Sequence, residues 1–321
     1  MWTAIVLGVC VLGGVSAYAA WAAHAVVGGA PLWPFVIGLP VAYLAFPLAF
    51  TAFWFTLAWL FRAERPAGIR LSLPARLALF GGEFAALARS VPRMIFYRLL
   101  VPEPKPAPAA LPVLLLHGVG CNAGVWTGTR RHLDGCGLGP VYALSYGPPL
   151  APIEHFADQL AARIAAIAEA TGATQVVLIA HSMGGLVART YLRRHSSAAV
   201  RRLITIGTPH HGSMHAWFMA GPALAQMRPG NPWLAGLNAD AAANASVPAV
   251  SIWSWHDSMV TPQTSSRIDW GDNVVLTGVA HNALLDHRAV WARVVAEIET
   301  ARRDGPPALS PVQMERPAPY Q

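Results

Sequence analysis

The sequence predicts an α/β fold: a mostly parallel central sheet with helices on both faces, preceded by an N-terminal hairpin of two transmembrane helices. Three observations predict it. From Leu111 onward, short β-rich runs alternate with helical stretches, the pattern of strand–helix–strand units feeding a parallel sheet. One of these runs, Gln175–Ala180, leads straight into the serine-centred stretch Ala180-His181-Ser182-Met183-Gly184-Gly185, and a helical pattern follows. Ahead of all this lie two long apolar runs, separated by the turn-like Gly28-Gly29-Ala30-Pro31.

The hairpin comes first. Trp2 to Val27 is almost continuously apolar, and Trp33 to Phe61 is apolar again. A spanning helix needs about 20 such residues, and each run is long enough. A cleaved signal peptide is the competing reading of the first run, with Ala17-Tyr18-Ala19 as its cleavage motif, but no positive segment precedes the run. Residues 1–62 are therefore read as a membrane anchor. Pro40 and Pro47 would kink the second helix, which neighbouring helices tolerate in lipid. Arg62, Arg65, Arg70 and Arg76 follow at once, and an excess of Arg after a span marks the cytoplasmic side. The expectation is an inner-membrane protein; the arginines favour a main domain on the cytoplasmic side, and the opposite orientation is left open.

Overall composition agrees with this division. Hydrophobic residues make up 54% of the 321 and charged ones only 12%, an excess concentrated in the N-terminal fifth. The net charge of +7 comes almost wholly from arginine, since Lys105 is the one lysine. No zinc finger, stacked-aromatic RNA motif or lysine-rich arm is present, and many arginines flank apolar segments. That distribution favours lipid headgroups over nucleic acid. Three cysteines supply neither a disulfide framework nor a metal site, and a Cys121–Cys136 pair is left open by spacing alone.

Residues 63–110 form a juxtamembrane segment. Leu77, Phe80, Phe84, Leu87 and Val91 recur at helical spacing, with Arg76, Glu83 and Arg89 off that stripe. Such a helix either lies on headgroups or caps the main domain. The run Pro102-Glu103-Pro104-Lys105-Pro106-Ala107-Pro108 reads as an extended linker. The main domain is placed at 111–303, and a Pro-rich tail at 304–321 is expected to be mobile and without chemistry.

Within the domain, strands are expected at Val113–Leu116, Val141–Ser145, Gln175–Ala180, Leu203–Ile206, Ala249–Trp253 and Val274–Leu276. Helices are expected at Ile153–Thr171, Met183–His195 and Leu284–Arg302. The Ser182 stretch has the form of a nucleophile elbow, a turn so tight that the serine takes a strained conformation and projects its hydroxyl. Residues two before and two after the serine must be small, and Ala180 and Gly184 are. A helix opening at Met183 would aim backbone N–H groups at developing negative charge. A second strand ends in His117-Gly118-Val119-Gly120, the loop that supplies the other N–H of an oxyanion hole. The two donors are thus the backbones of Val119 and Met183.

A serine hydroxyl needs a base, and the base an orienting carboxylate, in the chain order Ser, acid, His for this architecture. His281 sits just past the last expected strand and before the last helix. His287 falls within the expected helix, His256 precedes the acid, and His210 and His211 follow another strand. Asp257 follows the strand at Ala249–Trp253 in Trp255-His256-Asp257-Ser258-Met259-Val260. Asp240, Asp269, Asp272 and Asp286 are placed less well. The catalytic set is therefore Ser182, Asp257 and His281.

With these residues in place, the chain from Leu111 to about Arg302 resembles the bacterial lipases and esterases of the α/β-hydrolase superfamily that carry Ala-His-Ser-Met-Gly at the elbow. The matching landmarks are His117-Gly118-Val119-Gly120, Ala180-His181-Ser182-Met183-Gly184-Gly185, Thr205-Ile206-Gly207-Thr208-Pro209-His210-His211-Gly212, Asp257-Ser258-Met259-Val260 and Gly278-Val279-Ala280-His281. The resemblance implies ester hydrolysis by the residues above, with no cofactor and no metal, and it departs from the small secreted members at the membrane hairpin. From Pro209 to Val247 a long apolar connection is read as a lid over an acyl pocket, with an ordinary helical insertion as the alternative. A lipid or other apolar ester is the expected substrate. Acyl transfer or thioester hydrolysis by the same triad, and a non-catalytic membrane interaction protein on this scaffold, are the alternatives.

Overall fold

The computed structural model describes residues 2–195 and 197–304. Strands β1 (Val113–Leu116), β2 (Val141–Leu144), β3 (Val176–His181), β4 (Val200–Ile206), β5 (Ala249–Ser254) and β6 (Asp272–Leu276) form one sheet in the order β2-β1-β3-β4-β5-β6. Every pairing is parallel. A parallel sheet is covered on both faces, so its strands read as continuous apolar runs rather than alternating ones. Successive side chains still point to opposite faces. Leu114, Leu116, Leu178 and Ala180 meet the helices at Ile153–Thr171 and Met183–Arg194, while Val113, Leu115, Val177 and Ile179 meet the helix at Arg288–Arg303.

Helices α1 (Trp2–Val27), α2 (Trp33–Leu60) and α3 (Leu73–Ile95) precede the sheet, and α4 (Thr127–Gly135), α5 (Ile153–Thr171), α6 (Met183–Arg194) and α7 (Arg288–Arg303) surround it. In α5 the apolar residues Ile153, Phe156, Leu160, Ile164 and Ile167 share one buried stripe, and Gly172 in the left-handed region ends the helix. The expected elements are all present, with informative differences at their ends. β4 begins at Val200 because Arg201 and Arg202, which break the apolar run, are strand residues bonded to α7: Arg201 Nε donates to the Ala301 carbonyl, and Arg202 pairs with Glu297. The last helix starts late. Asn282–Asp286 is a 3-10 turn, and His287 is extended, its Nδ1 accepting from the Ala289 N–H at the head of α7. Helix α4, rich in Thr, Arg and Gly, carries no apolar periodicity and went unforeseen.

The two N-terminal helices are long and apolar enough to cross a membrane. They pack on one another near their turn, where the Tyr18 hydroxyl donates to the Phe35 carbonyl at 2.9 Å. They also reach the sheet domain: Thr3 Oγ1 donates to the Cys121 carbonyl at 3.0 Å. Helix α3 is a cap on that domain. It buries Leu79, Glu83, Ala86 and Met94, whereas Leu77, expected on the apolar stripe, is 65% exposed. The stripe rotates because the buried face includes a carboxylate that apolar periodicity cannot detect. The linker has no regular structure, yet it is tied down, with Glu103 paired to Arg163 and the Ala109 N–H donating to the Thr171 carbonyl. All three cysteines are free, so Cys121 and Cys136 do not pair. The tail beyond residue 304 lies outside the described residues.

The 209–247 insertion is mostly short helices, Pro222–Gln226, Pro232–Ala239 and Ala241–Asn244, after a 3-10 turn at Met214–Trp217. Leu224, Leu234 and Leu237 join the core. Arg189 of α6 fastens the insertion. Fully buried, it donates to Asn244 Oδ1, Asn238 Oδ1 and the Leu237 and His210 carbonyls, and burial draws its pKa down to about 10.

Helix α3 docks where Gly124 lets its backbone approach. A Cβ at Gly124 would collide with the Arg93 carbonyl and stand 2.8 Å from Met94 Cα. Gly124→Ala should therefore cost about 1–3 kcal/mol of stability, the range for overpacking a core site. A thermal or chemical unfolding midpoint equal to wild type would show that α3 is not held there.

Candidate active site

Strand β3 is buried along its whole length and delivers Ser182 to the head of α6. The Ser182 backbone sits at φ 54°, ψ −128°, and among the described residues only Leu150 is another non-glycine with positive φ. Such a conformation costs of order 1–3 kcal/mol and persists only where its surroundings impose it. Here the Ser182 N–H is fixed to the Ile206 carbonyl at 2.9 Å, and Ser182's own carbonyl accepts from the Gly185 N–H at 3.1 Å. The need for small flanking residues is visible in space. A Cβ at Gly184 would stand 2.7 Å from the carbonyl oxygens of both Leu116 and His117.

The loop after β5 presents Asp257, and the loop after β6 presents His281. Both are 2% exposed. His281 Nδ1 donates to Asp257 Oδ2 at 2.8 Å, while Asp257 Oδ1 accepts from the Met259 and Val260 N–H groups at 2.8 Å each. This bond places the proton on Nδ1 and leaves Nε2 as the basic nitrogen. Burial works to lower the pKa of His281, but the charge and hydrogen bond of Asp257, helped by the charge of Glu83, outweigh it and raise the pKa. Room for the pair comes from Gly207 at the end of β4. Its φ is +57°, and a Cβ there would stand 3.2 Å from both Asp257 Oδ2 and His281 Nδ1.

The rejected candidates have other partners. His256 Nδ1 accepts from the Gly278 N–H at 3.0 Å, and burial together with Arg65 holds its pKa down to about 4. His210 is buried against Thr205 and Arg189. Asp272 faces solvent beside Arg293, Asp240 lies beside Arg193, and Asp286 accepts from Arg93 of α3 at 2.7 Å.

One residue of the site was not anticipated. Glu83, on α3 and 1% exposed, accepts from the Ser258 hydroxyl at 2.8 Å, from the Asn282 N–H at 2.9 Å and side-chain amide at 2.8 Å, and from the Ala283 N–H at 3.1 Å. Ser258 in turn accepts from the His281 N–H at 3.4 Å. The carboxylate thus ties the acid loop and the histidine loop to each other and to α3. Its one sequence signal is that it is the sole acidic residue of that helix.

Ser182 and His281 face a cavity of about 400 Å³, a size suited to a small organic ligand. Its wall is almost wholly apolar, and Val119 lines it beside the serine. The N–H groups of Val119 and Met183 donate no hydrogen bond to protein among the described residues. Val119 and Met183 also line one smaller cavity together. His181 and His117 back the site. Both are buried, and burial first of all holds their pKa values down, to about 4 for His117. The His181 ring lies 4.6 Å from that of His281. Among the described residues no group of three or more His, Cys, Asp or Glu side chains is placed to hold a metal ion.

Comparison with known proteins agrees with this architecture. The family profile described as alpha/beta hydrolase fold matches residues 112–246. Over 62 residues the chain is 47% identical to a triacylglycerol lipase of Pseudarthrobacter phenanthrenivorans and to one of Burkholderia plantarii. The matched segment is 19% of this chain and only 19% and 17% of those relatives, so it spans less than a fifth of their length. Among solved structures, a mature lipase of Bacillus licheniformis superposes with a TM-score of 0.53 at 18% identity, over 61% of this chain and 95% of that one. Lipase B of Aspergillus fumigatus gives 0.54 at 22% identity, over 59% of this chain and 52% of that one. At these identities the likeness is one of fold, and the fold is that of the α/β-hydrolases.

Removing Glu83 would strand buried donors on both loops. At about 1–3 kcal/mol for each unsatisfied buried group, Glu83→Ala should lose roughly 3 kcal/mol of stability. Asp272→Ala, which breaks an exposed ion pair with Arg293, should lose less than about 1 kcal/mol. Unfolding of the two purified variants side by side checks the contrast, and equal losses would contradict it.

Proposed function

We propose that this α/β-hydrolase-fold chain is a membrane-anchored serine hydrolase that cleaves carboxylic esters, namely lipid or other apolar esters, through an acyl-enzyme. The observation that carries the reading is the 2.8 Å bond between His281 Nδ1 and Asp257 Oδ2, whose histidine lines one cavity with a serine held in a strained turn. In the first step Ser182 Oγ attacks the ester carbonyl as His281 Nε2 takes its proton. The carbonyl oxygen becomes an oxyanion facing the Val119 and Met183 N–H groups, each such donor being worth about 3 kcal/mol in the transition state. The imidazolium, stabilised by Asp257, then protonates the leaving alcohol. Water repeats the sequence on the acyl-enzyme, releasing the acid and restoring Ser182.

Several features support an apolar substrate: the lining of the cavity, the two long apolar helices, and the similarity of a short segment to two triacylglycerol lipases. The insertion contributes Ala216, Met219, Leu224 and Met227 to the cavity wall while its remaining helices pack on the core. It serves as both a pocket wall and a helical insertion. The Arg residues after α2 support a cytoplasmic position for the domain, since positive charge beside a span favours that side.

Ser182→Ala should abolish hydrolysis of a nitrophenyl ester, and covalent labelling by a fluorophosphonate, without moving the unfolding midpoint. Residual turnover above a few per cent would remove Ser182 from the role of nucleophile. Asp257→Asn should cut turnover by about 10⁴, and Asp269→Asn or Asp272→Asn should not.

The pH profile has a definite sign. His281 must be neutral to act as base, so turnover falls as pH drops through its pKa, and the negative charges of Asp257 and Glu83 raise that pKa. Glu83→Gln removes one of these charges and should move the acidic limb of kcat/KM to lower pH. An unmoved or higher limb would show that the Glu83 charge does not reach His281.

A further inference from the structure

The cavity has a wall that the sheet domain does not supply. Phe46, Phe50 and Trp54 of α2 and Leu7 of α1 line it together with Ser182 and His281. Residues 46, 50 and 54 fall at i, i+4 spacing, on one face of the helix. Trp54 is buried edge-on against the His215 ring, centroids 4.9 Å apart, and His215 Nδ1 lies 2.5 Å from the Met259 carbonyl, two residues from Asp257. The hairpin is therefore seated on the acid loop and is more than a tether to it.

The other end of this wall faces outward. Phe46 lines the cavity yet is 67% exposed, so the cavity reaches the outer surface of the hairpin. That surface is apolar. Neither α1 nor α2 contains an acidic residue, a lysine or an arginine. Further along α2, Phe218 of the insertion packs near Phe53 and Phe61 and is itself exposed, as is Trp217. Phe46 lies about 20 Å along α2 from Trp33 at 1.5 Å per residue, within the reach of a hydrocarbon core about 30 Å thick. A mouth set within the hydrocarbon layer is closed to an ester dissolved in water. An acyl chain drawn from lipid enters it without exposing its methylenes to water.

We infer that the hairpin forms the acyl-binding wall of the active site, and that the substrate is a long-chain ester lipid entering sideways from the bilayer that holds the hairpin. The inference rests on the ester-hydrolase reading above. Two measurements on the full-length chain in phosphatidylcholine vesicles test it. The first compares nitrophenyl palmitate with nitrophenyl butyrate. Phe50→Trp, which fills the cavity, should lower the palmitate-to-butyrate ratio of kcat/KM about tenfold, and Phe50→Ala should raise it. Labelling by a small fluorophosphonate identifies folded, competent variants. An unchanged ratio in whichever variants are labelled overturns the hairpin wall and leaves the hydrolase reading intact. The second compares a palmitoyl ester lipid placed in the enzyme's own vesicles with the same lipid in separate vesicles. Hydrolysis at least tenfold faster in shared vesicles is expected, and equal rates would mean that substrate arrives through water. If wild type is neither labelled nor active on either ester, the hydrolase reading fails, and this inference with it.

Discussion

The Asp257–His281 hydrogen bond is the constraint around which the rest of the molecule is arranged. A carboxylate buried in apolar surroundings is expensive unless its oxygens are filled, and here one oxygen takes the imidazole while the other takes two backbone N–H groups. The strands β5 and β6 lie side by side in parallel, so the loops at their ends emerge together at the same edge of the sheet. Gly207 at the end of the neighbouring β4 leaves the space the pair occupies. A parallel sheet brings several strand ends to one edge, which is why three distant parts of the chain can share one cavity.

The arrangement extends beyond the sheet. Glu83 brings a second buried carboxylate to the same place, and it too is filled, by donors from the Ser258 hydroxyl and the Asn282–Ala283 segment. Because those donors belong to the loops that carry Asp257 and His281, helix α3 is part of the structure that sets the histidine's position. Arg93 on the same helix reaches Asp286, and Gly124 admits the helix backbone. Together these contacts turn a segment written between an anchor and a linker into a cap. The rigid seat of α3 also fixes α2, whose Tyr43 hydroxyl donates to the Ala88 carbonyl of α3 at 2.6 Å.

This changes how the two halves of the chain relate. Read as composition, the hairpin anchors and the α/β domain reacts. In the structure the hairpin supplies part of the cavity in front of Ser182. On the proposed chemistry, attachment to lipid and recognition of an acyl chain become the same property of one pair of helices. The His215 contact with Trp54 shows how closely the two are joined, since the same ring also meets the Met259 carbonyl and the Thr261 hydroxyl of the loop that holds the acid.

The sequence by itself determined the α/β sheet, its six strands, the elbow at Ser182, and the membership of Asp257 and His281 in one site. All of these are written locally. An apolar run bounded by turns makes a strand, small residues around a serine permit a tight turn, and a carboxylate or histidine just past a strand must lie at the sheet's edge. Where local signals were weak, the reading fell short. Arg201 and Arg202 hid the first half of β4, α4 lacked apolar periodicity, and His287 proved to be a cap and not a helix residue. Only the tertiary structure decided that α3 turns Glu83 inward, that Cys121 and Cys136 stay apart, and that Phe46, Phe50 and Trp54 face the serine. Each of these depends on which surfaces meet across more than a hundred residues of chain or between separately folded helices, except the cysteines, which neighbouring elements hold apart. Periodicity reports that a helix has an apolar face, but it does not report what that face will touch. A buried carboxylate sits on the inward face for a reason that lies wholly in its partners, and those partners are assembled only when the chain is folded.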